Sequence, residues 1–238
     1  MRKSILKFAA MSVVTSAMAV SAPALAQDEA EEASGPITIS GGAAIVSDYR
    51  FRGVSLSDKD FAFQPYLTVK HESGLYAGVW GSNVAENAGD DVEVDLYAGF
   101  AGGDAVTYDI GATYYVYPGA SDLNYVEFTG KLGTTVGPAT IGGQLSYVPS
   151  QDNTGSNDNI YVATNAAVAV PNTPITLTGS VGFEDGAFGD DKIDWSIGAT
   201  AAVSVFTVGV AYVDTNRRST FAFEDSKAGV VLTLSYGF

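Results

Sequence analysis

The chain has 238 residues, 46% of them apolar and only 16% charged, with no cysteine and a single histidine. Without cysteine there is no disulfide framework, thiol chemistry or cysteine-bound metal, and one histidine leaves little room for His-based catalysis. A formal charge of −15 makes it a poor partner for a nucleic-acid backbone, and 27 glycines beside 13 tyrosines and 12 phenylalanines depart from an ordinary cytosolic enzyme.

The N-terminus begins with the basic residues Arg2, Lys3 and Lys7, continues apolar from Phe8 to Leu25, and closes on Ala24-Leu25-Ala26. Basic start, apolar middle and A-x-A exit are the three parts of a secretory signal peptide, so residues 1–26 predict export across the inner membrane. Residues 27–35 are acidic and lack large apolar side chains, which predicts a short flexible leader.

From Pro36 to Phe238 the dominant pattern is alternation with period two, the mark of strands with two unlike faces. Twelve strands are predicted, at 37–52, 60–71, 74–84, 91–102, 105–117, 122–134, 138–148, 158–170, 174–184, 192–203, 206–216 and 228–238. Tight connections at 71–74, 102–104, 136–138 and 171–174 alternate with more polar ones at 54–59, 85–90, 118–121, 151–157, 185–191 and 217–226. Ser204-Val205 is a poor turn by composition, and Pro65 predicts a bulge in the second strand. Residues 195–213 are uncharged, but their small residues and period of two argue for a strand pair over a membrane helix.

The two faces differ in chemistry. Outward positions such as Ile37, Ile39, Tyr49 and Phe51, Val92 to Phe100, Val106 to Val116 and Val230 to Phe238, taken alternately, carry no charge. The opposite face holds Asp48, Arg50, Arg52, Lys70, Glu93, Asp95, Asp109, Glu127, Lys131, Glu184 and Asp194. A charge facing lipid at mid-depth costs roughly 2–4 kcal/mol, and a hydrated lumen lifts that cost. The fold class is therefore all-β: a transmembrane up-and-down antiparallel β-barrel of about twelve strands, spanning residues 36–238. A secreted β-sandwich is the competing fold, but its water-facing side would be richer in Lys, Glu and Thr. The alternating apolar end Val230, Leu232, Leu234, Tyr236, Phe238 resembles the terminal signal read by the barrel assembly machinery, with Tyr236 and Phe238 its key residues.

The lumen-lining candidates are Asp48, Arg50, Arg52, Glu93, Asp95, Asp109, Glu127, Lys131 and Asp194, with Tyr97 and Tyr115 among the inward aromatics Tyr66, Tyr76, Trp80 and Tyr117. Counting back from the 118–121 connection sets Asp109 opposite Lys131. Arg50 and Arg52, at the outer end of strand one, are expected to face Glu93 and Asp95 across the mouth as a transverse field; pairing of Arg50 with Asp48 or Asp194 is the alternative. The inward tyrosines either stack on ring-shaped solutes or fill the lumen. His71 falls on a tight turn with no partner for catalysis, and Asp90-Asp91 and Asp190-Asp191 lack the spacing of a cation site. No catalytic residue, cofactor or metal is expected. Arg217-Arg218 is a candidate contact for lipopolysaccharide phosphates.

Ser47-Asp48-Tyr49-Arg50-Phe51-Arg52-Gly53-Val54-Ser55 resembles the first-hairpin motif of the TorF-type porins, a proteobacterial outer-membrane β-barrel family formerly of unknown function. Residues 74–84, Leu96-Tyr97-Ala98-Gly99-Phe100, Tyr115-Val116-Tyr117-Pro118-Gly119 and Asn124-Tyr125-Val126-Glu127 extend the resemblance to about Phe128. Where the family often has Gly after the glutamine of strand two, Pro65 follows Gln64 here. The resemblance implies an outer-membrane channel and supplies neither substrate nor catalytic residues.

Two readings of function stay open. One is a porin-like channel in the bacterial outer membrane for passive diffusion of small hydrophilic solutes, with a narrow polar lumen and a weak cation preference. The other is a structural or adhesive barrel with a plugged lumen. An outer-membrane hydrolase is disfavoured by the single histidine. Expected partners are outer-membrane lipid and lipopolysaccharide, the barrel assembly machinery and small solutes; solute identity, oligomeric state and gating are not legible.

Overall fold

A computed structural model describes residues 35–87, 90–216 and 227–238. The proposed signal peptide, nearly all of the leader, and Arg217-Arg218 lie outside the described residues. Twelve strands form the barrel: β1 Ile37–Val46, β2 Ala62–His71, β3 Leu75–Asn87, β4 Asp90–Gly102, β5 Val106–Val116, β6 Tyr125–Val136, β7 Ala139–Val148, β8 Asn159–Ala169, β9 Ile175–Gly186, β10 Gly189–Val203, β11 Phe206–Thr215 and β12 Gly229–Gly237. Each pairs antiparallel with its neighbours in sequence, and β1 closes on β12 through Gly42↔Gly237 to Val46↔Thr233. Closure leaves no sheet edge, so the backbone satisfies itself without water. Single turns of 3-10 helix at Ser121–Leu123 and Asp152–Thr154 are the only helical pieces among the described residues.

The start of β1, the end of β12 and five tight turns share one end, called inner here; the opposite end is outer. The Ser204-Val205 turn closes between the paired residues Val203 and Phe206, with Ser204 in the left-handed region at φ 57°. Pro65 makes no bulge: the β1–β2 register runs unbroken through Ala43↔Pro65. The β2–β3 ladder instead starts at Tyr66↔Trp80, and beyond it the Asn83 side chain accepts from Phe63 N–H and donates to Phe61 carbonyl. Two outer connections expected to be long are short. Asn87 pairs with Asp90, and Gly186 pairs with Gly189, so β3–β4 and β9–β10 rise as extended hairpins.

Outward side chains form an apolar surface that includes Ile110, Leu132 and Ile197, all more than 60% exposed. Charges at outward strand positions, such as Asp185, Asp191 and Asp214, sit at the outer ends. An apolar belt this continuous belongs in lipid. Phe238 continues the closure: its N–H donates to Gly41 carbonyl at 2.8 Å and its carbonyl accepts from Gly41 N–H at 3.0 Å. Its ring lies over Gly41, where a Cβ would sit 2.9 Å from Phe238 Cζ. Tyr236 stands beside it, 6.4 Å between ring centroids, both exposed on the outward face.

Asp109 and Lys131 are direct partners in the β5–β6 register, as counting back from the turn predicts. Cysteines at these two positions are expected to join through a short bifunctional reagent, the chain having no cysteine of its own to interfere. Failure to cross-link in a folded barrel would mean a different β5–β6 register.

Candidate functional site

Strand one ends earlier than its sequence pattern predicts. After Val46 the chain turns inward, and residues 47–57 fold into the outer half of the barrel before residues 58–61 return, exposed, to β2. Asp48, Tyr49, Arg50, Arg52, Val54, Ser55, Leu56 and Ser57 are all at most 9% exposed. Tyr49, expected to face lipid, is fully buried inside, and Phe51 packs edge-on to Tyr115 at 6.2 Å. Alternation alone cannot register a strand that leaves the sheet.

The inward segment is a miniature hairpin, Arg50–Phe51 against Val54–Ser55. Its two turn residues, Arg52 and Gly53, have φ of 48° and 85°, and positive φ at both centres is the requirement of a type I′ turn. Gly53 is needed twice over. A Cβ there would strike Thr215 Cβ at 2.8 Å and Asp194 Cβ at 2.9 Å, on the β10–β11 wall. Arg52 tolerates the left-handed region at a cost of about 1 kcal/mol, which its contacts offset.

Those contacts cross the lumen. Arg52 Nη2 donates to Glu127 Oε2 on β6 at 2.5 Å, and Nη1 donates to Glu184 Oε1 on β9 at 2.6 Å. Its guanidinium also lies 4.1 Å over the Tyr161 ring. Lys192 on β10 donates to Glu184 Oε2 at 2.6 Å and to the Arg52 carbonyl at 2.7 Å. Burial works against the Arg52 charge, but Glu127 and Glu184 outweigh it and hold the guanidinium above its ordinary pKa. Asn159 donates to Glu184 Oε1 at 3.0 Å, filling another of its acceptor positions.

Tyr49 fixes the other flank. Its hydroxyl donates to Glu93 Oε1 at 2.9 Å, while Tyr117 donates to Oε2 at 2.7 Å. Burial, then the charge of Glu93, keeps both phenols protonated far above neutral pH. The Tyr49 ring packs 5.4 Å from Trp80, and its N–H donates to Ser57 Oγ at 2.8 Å. Arg50 pairs with Asp48 at 2.6 Å and donates to the carbonyls of Gly53 and Lys227. Ser55 Oγ donates to the second Asp48 oxygen at 2.6 Å.

This geometry corrects the expected transverse field. Arg50 is neutralised locally by Asp48 and Arg52 by Glu127 and Glu184, while Glu93 is met by two tyrosines and by neither arginine. Asp95 is fully buried, one inward position from Glu93 and opposite Trp80. Asp194 accepts from Tyr161 at 3.2 Å, with the hairpin tip against it. Tyr97 lies in the cluster with Trp80, and Tyr115 stacks on Tyr125 at 4.4 Å with Phe188 edge-on to Tyr125. Asp109 and Lys131 belong to a second region nearer the inner end. Glu184 stands on the polar face as the alternation of β9 predicts, whereas Tyr49 and Lys192 were missing from the expected site. Lys192 follows from the alternation of β10; Tyr49 follows only from recognising the Arg52-Gly53 turn.

Below the hairpin the lumen changes character. Along β7 the inward residues pass from buried Val148 and Ser146, through half-buried Gln144 and Gly142, to exposed Thr140. On β8, Tyr161 is buried whereas inward Asn165 is exposed. The lumen is thus a polar vestibule accessible from the inner end and filled near the outer end by the folded-in segment.

A closed twelve-strand barrel with an apolar exterior, a polar interior and an inward-folded segment defines a transmembrane barrel of porin type in architecture. The chain belongs to a family described as a bacterial protein of unknown function (Gcw_chp), whose model matches residues 30–235. A search of curated proteins finds no match. Among solved structures the chain is similar to the NanC porin, at 11% identity and a TM-score of 0.55, covering 84% of this chain and 99% of that one. The KdgM porin aligns at 8% identity and a TM-score of 0.54, covering 84% and 98% respectively. KdgM porin in complex with disordered oligogalacturonate gives 9% identity, the same TM-score and the same coverage. At these identities the likeness is one of fold.

Proposed function

We propose that the protein is an outer-membrane channel of the TorF porin type that passes small hydrophilic solutes passively and catalyses no reaction. The observation that carries this reading is the polar vestibule inside a closed, lipid-facing barrel, narrowed by residues 47–57 toward the outer end. Eight strands leave an interior filled by side chains and sixteen to eighteen leave a wide pore, so twelve accord with a narrow one. Six carboxylates against three cations (Arg50, Arg52 and Lys192) line the buried outer half, which favours cations over anions.

Export through residues 1–26, insertion by the barrel assembly machinery through the Tyr236–Phe238 end, and contact with lipopolysaccharide at the outer rim complete the reading. The unboiled protein from the outer-membrane fraction is expected to migrate as a compact band that shifts on boiling, and deletion of Phe238 to slow its appearance. Soluble periplasmic protein with no shift would contradict the membrane assignment. Discrete current steps in planar bilayers test conduction. The depth of burial of residues 48–57 favours a second reading, a permanently plugged barrel, which predicts silence in that assay.

A further inference from the structure

Three inward tyrosines on consecutive strands share one packing device. Tyr66 on β2 lies across Gly42, where a Cβ would come within 2.9 Å of its Cε1. Tyr76 on β3 lies across Gly99, with 2.6 Å from such a Cβ to its Cζ. Tyr97 on β4 lies across Gly78, with 2.4 Å. Each side chain therefore reaches over a neighbouring strand's bare backbone, with the Tyr76 and Tyr97 rings tilted 53° to each other. Two of the phenols are tied down: Tyr76 donates to Asp109 Oδ1 at 2.7 Å, and Tyr97 bonds Thr68 Oγ1 at 2.6 Å. Tyr97 is buried within the cluster beneath the hairpin, whereas Tyr66 and Tyr76 pack against its edge and stay half-buried at the vestibule.

The same device seats the buried Tyr161 over Gly182, so what sets Tyr66 and Tyr76 apart is that they stay half-buried at the vestibule beside the paired Asp109 and Lys131. The wall also has two unlike sides. Lys70, Asp109 and Lys131 stand on the tyrosine side, whereas the inward residues of β9 to β12 at this level are hydroxylic or small, such as Thr178, Ser180, Ser196 and Thr233. We propose that Tyr66 and Tyr76 form a stacking platform for neutral ring sugars in the inner vestibule, with the Asp109–Lys131 pair taking the sugar hydroxyls. A pyranose offers one apolar CH face to an aromatic ring and a rim of hydroxyls to donors and acceptors. The acid-rich constriction above disfavours an acidic sugar. This deepens the channel reading by naming its solute class, but the site exists whether or not the barrel conducts.

Saturation-transfer NMR on the whole barrel in a sugar-free detergent tests it, with maltotriose as the probe. Transfer is expected to fall mainly on the ring CH protons, and the Tyr66→Ala/Tyr76→Ala double variant is expected to bind about tenfold more weakly. Tyr66→Phe/Tyr76→Phe keeps both faces and retains most of the binding. Absence of transfer, transfer spread evenly over the sugar protons of the unmodified protein, or an unchanged signal in a heat-modifiable alanine variant would overturn the platform. Stronger binding of an acidic trisaccharide would overturn the neutral-sugar assignment. Transfer with a silent bilayer retires the channel and leaves the site; conduction without transfer does the reverse.

Discussion

Replacing Arg52 with alanine is expected to raise single-channel conductance several-fold and to make the open current noisy. The inward hairpin is tied across the lumen by this side chain, which joins β6 to β9 through Glu127 and Glu184. Breaking a buried pair from one side costs about 3–5 kcal/mol because the remaining charge is stranded. Here that charge is Glu127, since Glu184 keeps Lys192. At 1.4 kcal/mol per factor of ten, the population with the hairpin displaced rises by roughly a hundredfold or more. Arg52→Lys should fall between, because an ammonium does not offer the fork that meets two carboxylates at once. The barrel itself should survive, since its hydrogen-bond ladder closes through β1, β2 and β12 without residues 48–60. Unchanged conductance in a folded Arg52→Ala barrel would mean that the hairpin does not control the path.

Glu184→Ala should be the most destabilising single truncation in the lumen. It leaves Arg52 with one carboxylate, Lys192 with only the Arg52 carbonyl among its described acceptors, and Asn159 without its acceptor. A loss of about 3–5 kcal/mol is expected in the unfolding free energy measured by urea titration of the heat-modifiable form, with Glu184→Gln milder because it preserves shape and one acceptor. A loss within the 0–1 kcal/mol of an exposed ion pair would show that water reaches this cluster freely.

The twelve strands were legible because each has one face for lipid and one for a polar interior, and that demand repeats every second residue. Even Asp109 and Lys131 could be paired from a turn and a count. The hairpin was not legible for the same reason. Ile45, Ser47, Tyr49 and Phe51 continue the alternation of β1, so the pattern stays regular where the chain leaves the wall. The local signal was Arg52-Gly53 between two short alternating stretches, a two-residue hairpin with an unusual first member. Alternation puts the arginines in the lumen, but their partners depend on which strands the hairpin reaches. Likewise the loops expected at 85–90 and 185–191 are largely strand, because polar residues at the outer rim satisfy a projecting hairpin as well as a loop. Phe188 even turns inward there to cover Tyr125.

In the proposed channel, residues 47–57 form the constriction of a conducting barrel. Planar-bilayer recording of the unmodified protein beside a variant in which residues 48–60 are replaced by a short Gly-Ser turn tests it most directly. The account predicts discrete steps from both, markedly larger in the shortened variant, with both barrels heat-modifiable. Steps of equal size, or silence from a shortened barrel that still folds, would contradict it.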